Sequence, residues 1–398
     1  MQKTADVVVI GAGVMGSSIA FHLAQRGVGR VLVLEKGRVC GGNTRKSGAL
    51  VRMHYTYAPE VRLALAALPV FQNFSEIVGG PCGFTETGFL MIVGPTQVEK
   101  LHRNVEMLRG CGVDTSSVRP DEIRELQPCA EVGGIGGAAF EPHSGYADPV
   151  ATTLSFMAAA RQRGVMVEEG VKVERVLTEA GEVCGVQTSA GTVATRSVVC
   201  AAGPWSKYLH DLPIDPVRAQ IAFFQRSEAY AQEPSLERQM VYIDTLTGMY
   251  SRPHSDGQSL LGIGAWGDTA VANPDAYDES NDLDYIPEVR RRTAMRLPAL
   301  GGVSYVRGHA GLYDVTPDSR CLLDKDVGAK GFFLAAGFSG TGFKLSPTIG
   351  RVMSELVVDG KAAFVDIHPF RQSRFSEGQE CGDPAAEYDL PPDFGHRF

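Results

Sequence analysis

The chain has 398 residues, 44% of them hydrophobic, which is enough for roughly two or three domains with buried cores. Its 38 lysines and arginines against 46 aspartates and glutamates give a net charge of −8, and the absence of a basic block argues against nucleic-acid binding. No apolar run approaches the roughly 20 residues of a membrane helix, and the eight scattered cysteines form no CxxC pair, which argues against a membrane span, a zinc site and a disulfide framework.

The first predicted elements are a strand, a helix and a second strand. Val7–Ile10 is typical of a strand buried on both faces, and it begins too early to leave room for a signal peptide. The segment GAGVMG (11–16) opens an amphipathic helix, and a second apolar strand at 31–34 ends in Glu35. This pattern is that of a dinucleotide-binding βαβ unit. With the cysteine distribution, it predicts a reduced, cytoplasmic protein.

Each glycine of this unit, and its terminal glutamate, has a physical role in binding a dinucleotide. Gly11 allows the tight turn, Gly13 lets a pyrophosphate approach the backbone, and Gly16 lets the helix pack close to the strand. The helix N-terminus offers free N–H groups to the phosphates. Glu35 is placed to accept both ribose hydroxyls and would repel a 2′-phosphate. The unit alone leaves FAD and NAD as alternatives.

In the rest of the chain, segments with helical periodicity alternate with segments typical of strands. Helical periodicity is predicted near 59–78, 95–110, 148–163 and 286–295, and strands near 83–94, 165–195, 198–205 and 215–304, before a strand, glycine loop and helix at 331–358. Nucleotide-type signals near positions 6, 198 and 332 indicate a discontinuous cofactor domain with a second domain inserted through it. The predicted cofactor-domain parts are 1–55, 146–212 and 305–375, the predicted substrate-domain parts are 56–145 and 213–304, and 376–398 is predicted to be an acidic, loosely ordered tail.

Three blocks together resemble the D-amino-acid oxidase superfamily of flavoproteins, in particular its sarcosine-oxidase and glycine-oxidase branch. They are GGNTRKSGALVRMHY (41–55), VVCAAGPW (198–205), and GLYDVTPDSRCLLD followed by GFFLAAGFSGTGFKLSPTIG (311–350). The resemblance covers Asp6–Phe375 and implies FAD as the cofactor. It implies an α/β fold: a discontinuous Rossmann-type FAD-binding domain with an inserted α+β substrate domain built on an antiparallel sheet.

The first motif and the resemblance together predict a set of cofactor-binding residues. The loop from Gly337 to Lys344 is expected to offer backbone N–H groups to the flavin at a helix start. The full predicted set is Gly11, Gly13, Val14, Met15, Gly16, Glu35, Lys36, Asn43, Thr44, Arg45, Lys46, Ser47, Gly48, Val173, Ala202, Gly203, Trp205, Gly311, Gly337, Gly340, Thr341, Gly342, Phe343 and Lys344.

The resemblance also implies catalytic residues. Arg52 and Lys344 match the two cations that clamp the substrate carboxylate in monomeric sarcosine oxidases, and Tyr250 matches a tyrosine of the substrate cavity. An arginine fork binds a carboxylate through two hydrogen bonds, and a lysine adds a point charge. Simpler roles remain open: Arg52 as a solvated helix-start residue, Lys344 as the partner of a nearby acid, and Tyr250 as an ordinary strand aromatic.

The sequence departs from the family pattern at three places, which predict how the flavin is attached, how it is reoxidised and how its reduced form is stabilised. Gly311 stands where monomeric members tether the flavin to a cysteine, so the FAD is expected to be noncovalent. Leu261 and Gly262 are the possible counterparts of a lysine that activates oxygen, which puts fast oxygen use in doubt. Arg45 replaces a histidine near the ring, and its charge favours reduced flavin. None of the nine histidines forms an HExxH motif, and no metal is expected.

These features predict an FAD-dependent amine oxidoreductase. Its substrate would be a secondary or N-substituted α-amino acid with a free carboxylate, oxidised to an imine that hydrolyses to an amine and glyoxylate or formaldehyde, with oxygen reoxidising the flavin. One alternative is an amino-acid dehydrogenase (for proline, a D-amino acid or an N-alkyl amino acid) that passes electrons to a partner protein or quinone, as a subunit of a complex. Others are a non-catalytic flavin-binding assembly subunit and an NAD-binding dehydrogenase. The sequence names neither the N-substituent nor the oligomeric state.

Overall fold

The structure of the protein is a computed structural model that describes residues 3–226, 239–255, 257–264 and 270–390. Strands and helices alternate through the first part of the chain. In chain order its strands are β1 (Lys3–Thr4), β2 (Val7–Ile10), β3 (Val31–Glu35), β4 (Leu50–Val51), β5 (Thr85–Glu86), β6 (Phe89–Val93), β7 (Ser116–Val118), β8 (Gly137–Glu141), β9 (Gly145–Tyr146), β10 (Met166–Glu169), β11 (Val173–Glu179), β12 (Glu182–Thr188), β13 (Gly191–Ala194), β14 (Val198–Cys200), β15 (Asp215–Gln225), β16 (Val241–Asp244), β17 (Met249–His254), β18 (Gln258–Ile263), β19 (Ser304–Val315), β20 (Leu322–Lys325) and β21 (Phe332–Ala336). Its α-helices are α1 (Val14–Gln25), α2 (Ala58–Gln72), α3 (Phe74–Ile77), α4 (Val98–Gly110), α5 (Pro120–Leu126), α6 (Pro149–Gln162), α7 (Tyr285–Arg296) and α8 (Gly342–Asp359). Within these ranges no helix is both long and apolar enough to cross a membrane.

A six-stranded sheet contains the predicted βαβ unit, β2–α1–β3. Its strand order is β10-β3-β2-β14-β21-β20, and all neighbours are parallel except the edge pair β20–β21. Both faces of β2 are buried, since Val8 and Val9 have no exposed surface. Helix α1 packs between α8 and α6 on one face of the sheet. Continuous apolar strands covered by helices are typical of parallel sheets, and the predicted Rossmann-type fold is confirmed.

A second, eight-stranded sheet forms the inserted unit. Its order is β19-β15-β18-β17-β16-β6-β8-β7, with antiparallel neighbours except for the parallel pair β16–β6. Apolar residues of β6, β16, β17 and β18 are buried on both faces. One face packs against α7 and α5, because Leu261, Tyr285 and Val289 share a buried cluster there. The predicted antiparallel sheet is therefore present, with one parallel pair inside it.

The two sheets draw on different parts of the chain. The six-stranded sheet takes its strands from 1–55, 146–212 and 305–375, and the eight-stranded sheet takes most of its strands from 56–145 and 213–304. Strand β19 begins at the boundary predicted between 304 and 305 and pairs with β15 from Ser304 to Val315, so the eight-stranded sheet extends into the predicted part 305–375. All the domain boundaries stay predictions.

The sequence predicts a loosely ordered acidic tail, whereas its residues 376–390 make defined tertiary contacts. Tyr388 is buried and its hydroxyl lies 2.9 Å from His54 Nε2. Glu387 forms an ion pair with buried Arg320 at 2.9 Å. These tertiary partners offset the low hydrophobicity from which disorder was expected. Residues 391–398 of the predicted tail lie outside the described residues.

Candidate active site

A large cavity of about 1240 Å³ lies between the six-stranded and the eight-stranded sheets. It opens at the carboxyl ends of the parallel strands, where Ile10, Leu34, Ala201 and Ala335 line it. Ligands of open α/β sheets bind at this edge. A pocket for one small ligand usually has about 300–1,000 Å³, so this cavity has room for a dinucleotide together with a small substrate.

The turn before α1 is built so that only glycine fits at two positions. Gly11 has φ +101°, and a Cβ there would lie 2.6 Å from the carbonyl oxygen of Ala201. A Cβ on Gly16 would lie 1.9 Å from the carbonyl oxygen of Gly11. Gly16 does not line the cavity itself, and its role is to bring α1 close to β2. The N-terminus of α1 therefore meets the cavity directly, as binding of a pyrophosphate requires.

Glu35 stands at the end of β3 with its carboxylate held by two backbone amides. Its Oε2 accepts a hydrogen bond from the Ala12 amide at 2.9 Å, and its Oε1 accepts one from the Gly37 amide at 2.8 Å. Each oxygen keeps a further lone pair, because a carboxylate has about four acceptor positions. The side chain lines the cavity, and this arrangement fits the ribose of FAD.

The loop at 43–48 continues the wall of the cavity. Asn43 Oδ1 accepts a hydrogen bond from the Leu312 amide at 2.9 Å, while Asn43 Nδ2 is buried without a partner among the described residues. The Thr44 hydroxyl accepts from the Val14 amide at 3.1 Å and so closes the start of α1. A buried donor without a partner costs about 1–3 kcal/mol, so Asn43 Nδ2 indicates a ligand with acceptor atoms. The residues present thus fit FAD.

The loop between β21 and α8 is shaped by a buried carboxylate. Asp314 Oδ2 accepts a hydrogen bond from the Gly337 amide at 2.8 Å, and the Asp314 carbonyl oxygen accepts one from the Ser339 amide at 3.1 Å. Burial raises the pKa of Asp314 to about 6 against the lowering effect of backbone N–H groups. Gly337 does not line the cavity, whereas Gly340 and Gly342 do. Asp314 was missed from the sequence because its role depends on a hydrogen bond across 23 positions.

Arg52 and Lys344 lie together at the cavity wall and are both buried. Arg52 donates to the carbonyl oxygen of His54, and Lys344 Nζ donates to the carbonyl oxygen of Thr341 at 3.3 Å. The Arg52 guanidinium carbon is 4.6 Å and Lys344 Nζ is 5.6 Å from the centroid of the Tyr55 ring. Burial and the neighbouring Arg52 lower the pKa of Lys344 well below its usual value.

Neither Arg52 nor Lys344 forms an ion pair with a carboxylate among the residues that the structure describes. The buried acid Glu60 instead pairs with Arg320, with 2.8 Å between Arg320 Nε and Glu60 Oε2. Two buried cations without paired carboxylates are costly unless an anion joins them. The arrangement is therefore suited to binding a carboxylate, and it speaks against the simpler roles of a solvated arginine and an acid-paired lysine.

Tyr250 also lines the cavity, and it occupies the space beside Gly262. A Cβ on Gly262 would lie 2.2 Å from the ring carbon Cζ of Tyr250. Burial raises the pKa of Tyr250 well above its usual value, so its hydroxyl stays protonated. A lysine at position 262 would be incompatible with this ring position, and the Leu261 side chain is buried in the cluster on the other face of the sheet.

One cavity wall was missed from the sequence altogether. The segment 272–279 crosses the cavity: Asp275 bonds to Lys36 and accepts from Trp205 Nε1 at 2.9 Å, and Tyr277 accepts from Lys46 Nζ at 2.7 Å. Its sequence ANPDAYDE carries no local signal for these contacts, since their partners are more than 60 positions away. Every predicted site residue except Gly16 and Gly337 lines this same cavity.

The lining predicts how the flavin is held. Among the described residues around the cavity there is neither a cysteine nor a histidine, and Cys321 is 1% exposed in the core beneath it. Because no thiol or imidazole is available to form a flavin bond, acid or heat denaturation should release all yellow chromophore into the supernatant. Absorption spectra of supernatant and redissolved pellet measure this, with a covalently flavinylated enzyme as control. Yellow colour retained by the washed pellet would contradict the prediction.

Known proteins match most of this chain. A family model described as FAD dependent oxidoreductase (DAO) matches residues 6–356. Sarcosine oxidase subunit beta of Rhodobacter capsulatus is 26% identical over 389 residues, covering 94% of this chain and 90% of the relative. The 4-methylaminobutanoate oxidase (formaldehyde-forming) of Paenarthrobacter nicotinovorans is 26% identical over 378 residues, 91% of this chain, and the chain spans only 45% of that relative's length. The crystal structure of L-proline dehydrogenase from P. horikoshii superposes with a TM-score of 0.86 at 28% identity, covering 95% of this chain and 100% of that one.

Proposed function

This chain belongs to the DAO family of FAD-dependent oxidoreductases, and we propose that it oxidises the carbon–nitrogen bond of a secondary or N-substituted α-amino acid of the sarcosine or glycine type. The observation that supports this most is the buried pair Arg52 and Lys344, which shares a cavity with the dinucleotide-binding turn and has no carboxylate partner among the described residues. The FAD is held without a covalent bond.

The chain's own residues bind and orient the substrate. Arg52 donates two parallel hydrogen bonds to the carboxylate, and Lys344 adds a third contact with its own charge. Their burial excludes water and strengthens both interactions. FAD, when bound, supplies the acceptor for a hydride from the carbon next to the amine nitrogen. If the amine binds unprotonated, no protein base is needed, and catalysis is mainly positioning. Water then splits the resulting imine into an amine and glyoxylate or formaldehyde.

The names of the relatives support a substrate with a secondary amine and a carboxylate, and the sarcosine and proline names also support an amine on the α-carbon. A sarcosine oxidase subunit, a 4-methylaminobutanoate oxidase and an L-proline dehydrogenase each act, by their names, on an N-substituted or cyclic amino acid. All three substrates carry a carboxylate and a secondary amine. The Arg52 and Lys344 pair accounts for the carboxylate, which is the part they share.

The electron acceptor is oxygen in the primary proposal, and one observation favours a second candidate. The Tyr250 ring fills the space beside Gly262, where an oxygen-activating lysine would have to stand. This favours a dehydrogenase that passes electrons to a partner protein or quinone. An oxygen electrode with photoreduced enzyme separates the two, because an oxidase consumes oxygen as its flavin recovers colour and a dehydrogenase keeps reduced flavin for minutes.

An anaerobic screen tests the reaction itself. We expect N-alkyl glycines or L-proline analogues to bleach the flavin absorption band, and the corresponding amides and esters to bleach it poorly. D-amino acids belong in the same screen, because they have the carboxylate but a primary amine. A flavin that is bleached faster by an amine without a carboxylate would contradict the proposal, and no bleaching by any amine would leave the chain as a flavin-binding subunit.

A further inference from the structure

The last described residues, 383–390, form a segment that we call the C-terminal strap. It lies along α4, where side chains hold its backbone. Gln97 exchanges two hydrogen bonds with the backbone of Asp389, at 2.8 and 3.0 Å. Lys100 Nζ donates to the carbonyl oxygen of Glu387 at 3.0 Å. Asn104 Nδ2 donates to the carbonyl oxygen of Ala386 at 2.9 Å. A segment with so many specific partners has a defined position in the fold.

Tyr388 connects the strap to Arg52 through His54. The Tyr388 hydroxyl lies 2.9 Å from His54 Nε2, and the two rings stack with centroids 5.8 Å apart. The carbonyl oxygen of the same His54 accepts the hydrogen bond of the Arg52 guanidinium. Burial lowers the pKa of His54 to about 3, so its imidazole is neutral. Tyr388 thus fixes the residue that holds Arg52.

A second set of contacts runs from Glu387 through Arg320 to Glu60. Glu387 Oε1 is 2.9 Å from Arg320 Nη2, and Arg320 Nε is 2.8 Å from Glu60 Oε2, all of them largely buried. Burial raises the pKa of Glu60, while the positive charges of Arg320, Lys344 and Arg52 lower it, so a change at Arg320 also changes the charge that Lys344 meets. While Arg320 keeps Glu60 paired, the Lys344 ammonium remains available to an external carboxylate. Glu387 fixes the orientation of Arg320 from its outer side.

We infer that the C-terminal strap is a positioning element of the substrate site, in which Tyr388 orients Arg52 through His54 and Glu387 keeps Glu60 away from Lys344 through Arg320. The inference rests on the proposed function, because it assumes that Arg52 and Lys344 bind a carboxylate. Tyr388 and Glu387 are positioning residues, since neither lines the cavity. They act on the affinity for the carboxylate and leave the cofactor untouched.

The test compares acetate binding to holoenzyme variants. Acetate is titrated against the oxidised enzyme, and the flavin spectrum reports its dissociation constant. Tyr388→Phe keeps the stacked ring and loses the hydrogen bond, and Glu387→Gln loses the charge. We expect each to weaken acetate binding by about 3- to 10-fold, and a deletion of 383–398 to weaken it by about 10- to 100-fold, since it removes both contacts. FAD content and the flavin midpoint potential should equal those of the wild type.

Two matched controls separate positioning from general damage. Tyr305→Phe removes an exposed hydroxyl that donates to Asn281 at 3.2 Å, and Glu380→Gln removes an exposed acid of the same tail. Both should bind acetate as the wild type does. Point variants that bind acetate normally would overturn the inference, even if the deletion fails to fold. Weak acetate binding together with lost FAD or a shifted potential would also overturn it, because the strap would then support the whole fold.

The same titration distinguishes this inference from the proposed function. A wild-type holoenzyme that binds no acetate would overturn the carboxylate clamp, and with it the strap's role. A wild type that binds acetate with variants that bind it equally well would overturn the strap's role alone.

Discussion

Arg52→Ala should lower the rate constant of flavin reduction divided by the substrate dissociation constant by about 30- to 1000-fold, the equivalent of about 2–4 kcal/mol. Two oriented hydrogen bonds to the carboxylate are lost, in a site where the arginine is 4% exposed. Lys344→Ala should cost less, because the ammonium supplies one contact. Anaerobic stopped-flow reduction with a carboxylate substrate measures both, and flavin content should remain near that of the wild type.

Three comparisons sharpen this result. Arg52→Lys keeps the charge and loses the fork, so it should recover only part of the loss. Arg26→Ala removes a guanidinium just after α1 that pairs with Asp359 at the end of α8, and its flavin should be reduced as fast as that of the wild type. The substrate amide should be poor for the wild type and nearly unaffected by Arg52→Ala. Equal reduction rates in Arg52→Ala and wild type would refute the clamp.

The pH profile identifies the contribution of Lys344 separately. Since burial lowers the pKa of this lysine, it loses its proton at a pH well below the usual range for lysine. The charged form is the one that binds a carboxylate, so acetate affinity should fall as the pH rises through the lowered pKa. The dependence should disappear in Lys344→Met, which replaces the ammonium by an uncharged, unbranched side chain one atom shorter. A wild-type profile that stays flat into the alkaline range would show that the lysine charge does not contribute.

The parts of the fold that the sequence predicted are those fixed by local geometry. The turn at Gly11 and the close packing at Gly16 depend on neighbours within a few positions, or on backbone atoms that any residue supplies. The loops at 43–48 and 337–344 could be assigned because their family pattern is contiguous. Arg52 and Lys344 are 292 positions apart, so only the family resemblance could place them in one site from the sequence. In the structure both line the same cavity. The family resemblance itself is confirmed by the match over residues 6–356.

The parts that were missed depend on contacts between distant residues. Tyr388 is buried because it stacks on His54, 334 positions away. The tail's charge and proline content predict disorder, since composition carries no information on such a partner. Glu60 likewise carried no signal in the sequence, and its role appears only from its ion pair with Arg320, 260 positions away. Segment 272–279 has no local signature, and its contacts to Lys36 and Trp205 are set by the inserted sheet.

Glu35→Ala should weaken FAD binding by about 1–3 kcal/mol, or roughly 5- to 150-fold in the dissociation constant. The carboxylate is held by the amides of Ala12 and Gly37, so its free lone pairs point to a fixed place at the end of β3. The substitution removes the acceptors for the ribose and also leaves those two amides without their partner. Glu35→Gln keeps one acceptor oxygen and should fall between wild type and Glu35→Ala. Titration of apoenzyme with FAD, followed by flavin fluorescence, measures the constants.

The matched control for this change is the glutamate directly opposite in the sheet. Glu169 is paired with Glu35 across β10 and β3, and its Oε1 accepts a hydrogen bond from the Val39 amide at 2.6 Å. It does not line the cavity. Glu169→Gln should therefore leave FAD affinity unchanged, although it removes the same charge only one strand away. If Glu35→Ala and Glu169→Gln weakened FAD binding by the same factor, the effect would come from the general loss of negative charge at this edge of the sheet. If Glu35→Ala bound FAD as the wild type does, Glu35 would not contact the ribose, and FAD would be held by the α1 turn and the loops at 43–48 and 337–344 alone.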